Sequence, residues 1–165
     1  MKHLRLDLHD PLLAKDADVV QRAVVAVGAS SASDTWEHTP HTHRKGQLMY
    51  TLRGVIHCEI EAGIWIVPPQ CALWIPGGVS HSARGNGEAH VYCLLIDPDA
   101  AGALPAQCCT LGVSGLLHEL ISKAISFPQL YEVDGAQGRL INTLLDELAQ
   151  APLEALHLPM PQDAR

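Results

Sequence analysis

The feature that most limits the fold is the stretch 36–96, a series of short apolar runs cut by turn residues at regular spacing. Each run is too short for an ordinary helix, and this punctuation is that of an antiparallel sandwich or barrel. Residues 47–52 read as one strand, turned by Arg53-Gly54. Residues 55–61 alternate, with Ile56, Cys58 and Ile60 on one face and His57, Glu59 and Glu61 on the other. That period of two marks a half-buried strand. Ala62-Gly63 leads into 64–67, apolar on both faces, and Pro68-Pro69 stops it because proline has no N–H for a ladder. Cys71–Ile75 is a further apolar run, ended by Pro76-Gly77-Gly78. Asn86-Gly87 is a hairpin signal leading into Ala89–Ile96. Ahead of these, 23–28 reads as a strand and 29–34 as a small, polar loop.

After Asp97-Pro98-Asp99 the period changes. Leu116, Leu117, Leu120, Ile121 and Ala124 fall at helical spacing within 112–124, with Ser114 as N-cap. Leu140, Ile141, Leu144, Leu145 and Leu148 form a second stripe within 134–149, which Pro152 closes. The pair is not a helix-turn-helix. The gap between the helices is too long, and the second carries Asp146 and Glu147 against a single Arg139 where a recognition helix is basic.

A net charge of −7 with neutral histidines and a pI near 5.7 oppose phosphate binding by this chain. Charged residues make up only 18%, below the common share of about 25%, which points to a partner surface. The five cysteines are odd in number and show no C-x-x-C pair, so they read as reduced thiols. The N-terminus has no apolar signal core and no apolar run is long enough to span a bilayer, which places the chain in the cytoplasm and off the membrane.

The chemistry concentrates in His41-Thr42-His43, Gln47 and His81. Residues 41, 43 and 47 share parity, so an extended strand would project them to one face, although Lys45-Gly46 loosens that geometry. The turn 76–78 can bring His81 in from a later strand. Three imidazoles and an oxygen suit a divalent transition metal such as Zn, Ni or Fe. The plainer alternative is three hydrogen-bonded histidines at a barrel mouth. An amide ligand is neutral and cannot act as a general base, so Gln47 leaves the metal's charge intact and favours an anionic ligand. His38, before Pro40, reads as exposed, and the remaining histidines as solvated. By the same parity Met49 and Thr51 floor a cavity, while Leu48, Tyr50 and Leu52 point outward and need the helices as cover. The tryptophans read as core or wall; Trp65 and Trp74 join Met49 and Thr51 as candidates for lining an effector pocket.

The pattern His-x-His-x3-(Glu/Gln)-x6-Gly is met by His41, His43, Gln47 and Gly54, and Pro-x-Gly-x2-His by Pro76, Gly78 and His81. Together they resemble the two motifs of the cupin superfamily. The wider text, 46–50, 65–69 and Trp74-Ile75-Pro76, resembles the N-terminal sensor domains of AraC-type transcription regulators over roughly 20–100. That resemblance implies a mainly β fold, a double-stranded β-helix (jelly-roll) barrel over 1–110 with an N-terminal arm. It implies a helical packing and dimerisation segment over 111–151, giving a homodimer through the C-terminal helices. From 152 to 165 a linker would begin towards a helix-turn-helix domain absent here, and DNA would be bound only through that domain. A small-molecule effector, with or without a metal, would bind in the barrel, and the domain would not be an enzyme. Two positions depart from enzymatic cupins, which usually carry Glu at the place of Gln47 and Asn at that of Gly85. The rival expectation is a small metal-dependent cupin enzyme, a dioxygenase or isomerase, using the same histidines.

Overall fold

In the computed structural model, residues 6–7, 17–31, 35–155 and 157–159 are described. The alternation read from the sequence becomes two facing sheets. The strands are β1 (Leu6–Asp7), β2 (Val24–Ser31), β3 (Thr35–His41), β4 (Gly46–Arg53), β5 (Ile56–Ile60), β6 (Gly63–Val67), β7 (Cys71–Ile75), β8 (His81–Asn86), β9 (Ala89–Ile96) and β10 (Cys109–Gly112). Helices α1 (Gly115–Ile125) and α2 (Ala136–Gln150) follow, then two short strands, β11 (Leu153–Glu154) and β12 (His157–Pro159). One sheet has the order β1-β2-β9-β4-β7-β10-β11 and the other β12-β6-β5-β8-β3. The central strands pair antiparallel with partners distant in sequence, β4 with β7 and β9, β5 with β8. This crossing from sheet to sheet is a jelly roll.

Side-chain alternation splits the apolar residues into two cores. Met49, Ile56, Cys58, Val67, Leu73 and Val91 pack between the sheets. Leu48, Tyr50, Ala72, Trp74, Leu94 and Ile96 face the other way, onto Leu117, Ile121, Ile141, Leu144 and Leu148 of the helices. The helices are thus the cover that the outward residues of β4 require. Ser114 caps α1 by accepting from the Leu117 N–H at 3.1 Å, satisfying a backbone donor that the helix itself cannot. The Tyr50 hydroxyl and His118 Nδ1 meet at 2.6 Å across the same interface, so His118 is not the solvated histidine its sequence context suggests.

Several expectations need correction. Leu116 is 55% exposed, so the α1 stripe is narrower than its leucines imply and rests on Leu117, Ile121 and Ala124. Leu144 and Leu148 are buried within the chain. Ile141, Leu144 and Leu148 of the α2 stripe are therefore used inside the chain, while Leu140 and Leu145 stay only partly buried. The segment expected to be a linker returns to the sheets. Its β11 covers the edge of β10, pairing Leu153 with Leu111, and β12 pairs with β6. Open backbone groups along a sheet edge explain why the chain docks there. The expected boundary at 110/111 falls inside β10. The arm over the first residues and part of the loop 29–34 lie outside the described residues, while 29–31 belong to β2. No described helix is long and apolar enough to cross a membrane.

Candidate metal centre

β3 forms an edge of its sheet, where Pro40 costs no ladder bond. The register slips between His38 and His41, which sets His41 opposite His81 with ring centroids 4.4 Å apart. The chain leaves β3 and passes through 42–45 before β4 begins, so His43 sits on a loop and Gln47 on a strand. Shared parity along one strand is therefore not what unites His41, His43 and Gln47. The turn after β7 does much of that work. Gly78 N–H donates to the His43 carbonyl at 2.9 Å, and a Cβ on Gly77 would stand 2.0 Å from the Arg44 carbonyl oxygen. Turn and loop thus pack backbone to backbone, which fixes the His43 and His81 rings 5.0 Å apart.

Each imidazole is oriented by a carbonyl. Nδ1–H of His41 donates to Thr39 O at 2.8 Å, that of His43 to Lys45 O at 2.6 Å, and that of His81 to Val79 O at 2.9 Å. In a neutral ring this leaves Nε2 with a lone pair and no proton. The three rings offer donor atoms within 4.8 Å of one another. Gln47 Oε1, another acceptor, lies 3.1 Å from His43 Nε2 and 3.2 Å from His81 Nε2. Its amide nitrogen points to Cys93 Sγ at 3.7 Å, which turns the oxygen towards the histidines. Burial pushes the His81 pKa down to about 4, so that ring is neutral at pH 7.

With the rings neutral and Nδ1 protonated, the three histidines and Gln47 Oε1 gather acceptor atoms in one place. A purely hydrogen-bonded cluster would need a ring to abandon its carbonyl, a ring to carry a second proton, or the Gln47 amide to turn its NH2 towards His43 and His81 and its oxygen towards the Cys93 thiol. One cation satisfies all four donors. Two donors each roughly 2.1 Å from an ion stand about 3.0 Å apart at right angles and about 3.4 Å at a tetrahedral angle; the separations of 3.1 Å and 3.2 Å lie between. A carbonyl on the far ring nitrogen is also the usual partner of a metal-bound histidine. The residues present fit a divalent metal.

The family described as AraC-like ligand binding domain matches residues 24–149. The chain belongs to this family. It is 39% identical over 160 residues to the HTH-type transcriptional regulator NimR of Escherichia coli (strain K12), covering 97% of this chain and 56% of that protein. The chain thus spans little more than half the length of the relative it matches. Apo ToxT from Vibrio cholerae shares the fold with a TM-score of 0.57 at 6% identity, over 77% of this chain and 54% of that one. A cupin-2 domain protein of Shewanella frigidimarina superposes with a TM-score of 0.41 at 13% identity, over 46% of this chain and 72% of that one.

In this AraC-like domain Met49, Thr51 and Trp65 lie between the sheets, with Met49 and Trp65 in the interior core. Thr51 keeps the parity of Gln47 and Met49. Trp74 does not join them. It pairs with the outward Leu48, packs in the core beneath the helices and donates Nε1–H to Pro105 O at 2.7 Å. Its position is a correction: residues 73 and 75 hold the inward parity on β7, so 74 must face out. His38 is half-buried, its ring 6.1 Å from that of His41 and 6.3 Å from that of Trp36. Gly85 lies under Trp36, since a Cβ there would stand 2.5 Å from the indole Nε1. That contact accounts for glycine at the position where enzymatic cupins often carry asparagine.

Sequence reasoning missed Lys45 and Asp18. Lys45 has 0% exposure, and its ammonium donates to Val20 O at 2.5 Å and Arg22 O at 3.5 Å. Asp18 accepts from the backbone N–H groups of Arg44 and Lys45, each at 2.8 Å, and those two bonds help hold its carboxyl below its ordinary pKa despite partial burial. No motif marks either residue; only their contacts with the His43 loop reveal them.

Proposed function

We propose that this domain senses a small effector inside its barrel, with a divalent metal (Zn, Ni or Fe) held by His41, His43, Gln47 and His81 as part of the binding site. The observation that carries this reading is the gathering of three imidazoles, each with its Nδ1 held by a carbonyl, beside the Gln47 amide oxygen. The metal would supply a positive centre to which an effector's donor atoms bind; the chain's own residues orient the ligands and exclude water. No carboxylate is buried among the described residues, and the Gln47 amide cannot serve as a general base, which favours binding over turnover.

By the likeness to NimR, the domain serves a longer cytoplasmic transcription regulator whose DNA contacts lie in another part of the protein. A route for the signal runs from His43 through the Lys45 carbonyl to residues 17–22, held by Lys45 and Asp18. Arg22 continues it, donating to Tyr131 O at 2.9 Å and lying 5.6 Å from the centre of that ring, between the two helices. An effector that binds one arrangement of the His43 loop more tightly shifts the whole segment towards it. Homodimerisation through the C-terminal helices belongs to this reading too, where Leu116 is exposed and Leu140 and Leu145 are only partly buried.

Elemental analysis after Zn²⁺ loading and gel filtration tests the metal. One equivalent per chain is expected, falling below one tenth in His43→Ala with the fold retained by circular dichroism. Zinc-free wild-type protein, or full loading of His43→Ala, contradicts it.

A further inference from the structure

We infer that the effector of this site is a small, acceptor-rich anion of the carboxylate class, and that Gln47 is the residue that selects for it. The inference rests on the metal reading above and concerns what the metal-bearing barrel accepts. Its basis is charge. Three neutral imidazoles and an amide oxygen add no negative charge, so a divalent ion held by them keeps its full +2. A charge in a buried site needs a counter-charge. Among the described residues no aspartate or glutamate is buried, and the buried side chain that carries a formal charge, Lys45, is itself a cation. Two carboxylates beside the loop are already engaged with the chain's own donors. Asp18 accepts from the backbone of Arg44 and Lys45, and Asp97 pairs with the Arg44 guanidinium at 2.9 Å. Asp18 also attracts a charge on His43, but neither carboxylate is buried in the barrel, so a counter-charge at the metal itself is left for the ligand to bring.

The remaining polar atoms of the interior agree with this. Trp36 Nε1, Thr51 Oγ1 and Thr110 Oγ1 are buried without a hydrogen-bond partner. Trp36 packs in the core between the sheets, and Thr110 pairs with the inward Leu73 on β7. All three can donate, and the indole N–H can only donate. A carboxylate with a carbonyl or ether group would bring acceptors to these donors. A neutral polyol could also accept from these donors, but it would leave the metal's charge uncompensated. A carboxylate in place of Gln47 would supply the missing negative charge from the protein, and the same site would then have less use for an anionic ligand.

The test loads the 165-residue chain with Co²⁺, whose visible absorption reports the ligand set, and titrates it with pyruvate, azide and the neutral counterpart pyruvamide. Elemental analysis is run on every sample. Pyruvate and azide are expected to change the spectrum saturably and to bind at least tenfold more tightly than pyruvamide. Gln47→Glu, nearly the same shape, is expected to keep one equivalent of metal and to lose at least tenfold in affinity for both anions. A metal-loaded wild-type chain that treats acid and amide alike overturns this inference alone, as does a loaded Gln47→Glu that keeps its anion affinity. A wild-type chain that takes up no metal overturns the metal reading and this inference with it.

Discussion

Replacing Gly77 by alanine should damage the metal centre far more than the fold. The added Cβ would stand 2.0 Å from the Arg44 carbonyl oxygen, where an ordinary contact needs roughly 3.3 Å. Turn and loop must therefore separate by about 1 Å, and neither side of the contact is a flexible side-chain end. The two sides carry His81 and His43, whose donors must hold their distances to a bound metal within about 0.2 Å. A shift several times larger removes one ligand from the set, for which a loss of about 100-fold in metal affinity is a fair expectation. The cost to the apo fold is that of overpacking, about 1–3 kcal/mol, and smaller if the exposed turn moves outward. Chelator competition with Zn²⁺ measures the first quantity and urea unfolding in EDTA the second. Zinc affinity in Gly77→Ala within threefold of wild type would refute the claim that this backbone contact sets the spacing of the imidazoles.

Two further outcomes follow from burial. Leu144 is fully buried among the helix-side core, so Leu144→Ala should cost about 2–5 kcal/mol. Leu144→Asp should then unfold the chain; folded monomers by sedimentation and circular dichroism would show the stripe to be an interface instead. In EDTA, the His81 pKa of about 4 against a free value of 6.5 makes the unfolded chain the stronger proton binder between those pH values. Stability from this group is therefore complete above pH 6.5 and falls by about 3 kcal/mol as the pH drops to 4. His81→Gln should flatten that part of the urea-midpoint profile, and parallel wild-type and variant profiles would contradict it.

Much of the barrel was legible because period-two alternation and turn residues act locally. Cys71–Ile75 and Ala89–Ile96 emerge at the expected bounds, and the inward and outward parity of β4 sorts Met49 from Leu48 correctly. Parity failed for His41, His43 and Gln47 because a bulge and a loop intervene, and their meeting depends on contacts that no spacing encodes. Trp74 was misplaced for want of its register with Leu48. The strands β11 and β12 were hidden because a short segment docking on a sheet edge is held by backbone bonds, which leave no side-chain pattern. Lys45 and Asp18 looked like surface charges until their carbonyl and N–H partners were seen.

X-ray absorption at the zinc edge of the loaded chain most directly probes the claim that lone pairs from His41, His43, Gln47 and His81 meet at one cation. A nitrogen/oxygen shell at about 2.0–2.1 Å with the multiple scattering of three imidazoles is expected, reduced to two in His81→Gln. A spectrum with sulfur neighbours, or with oxygen alone and unchanged by that substitution, would contradict it.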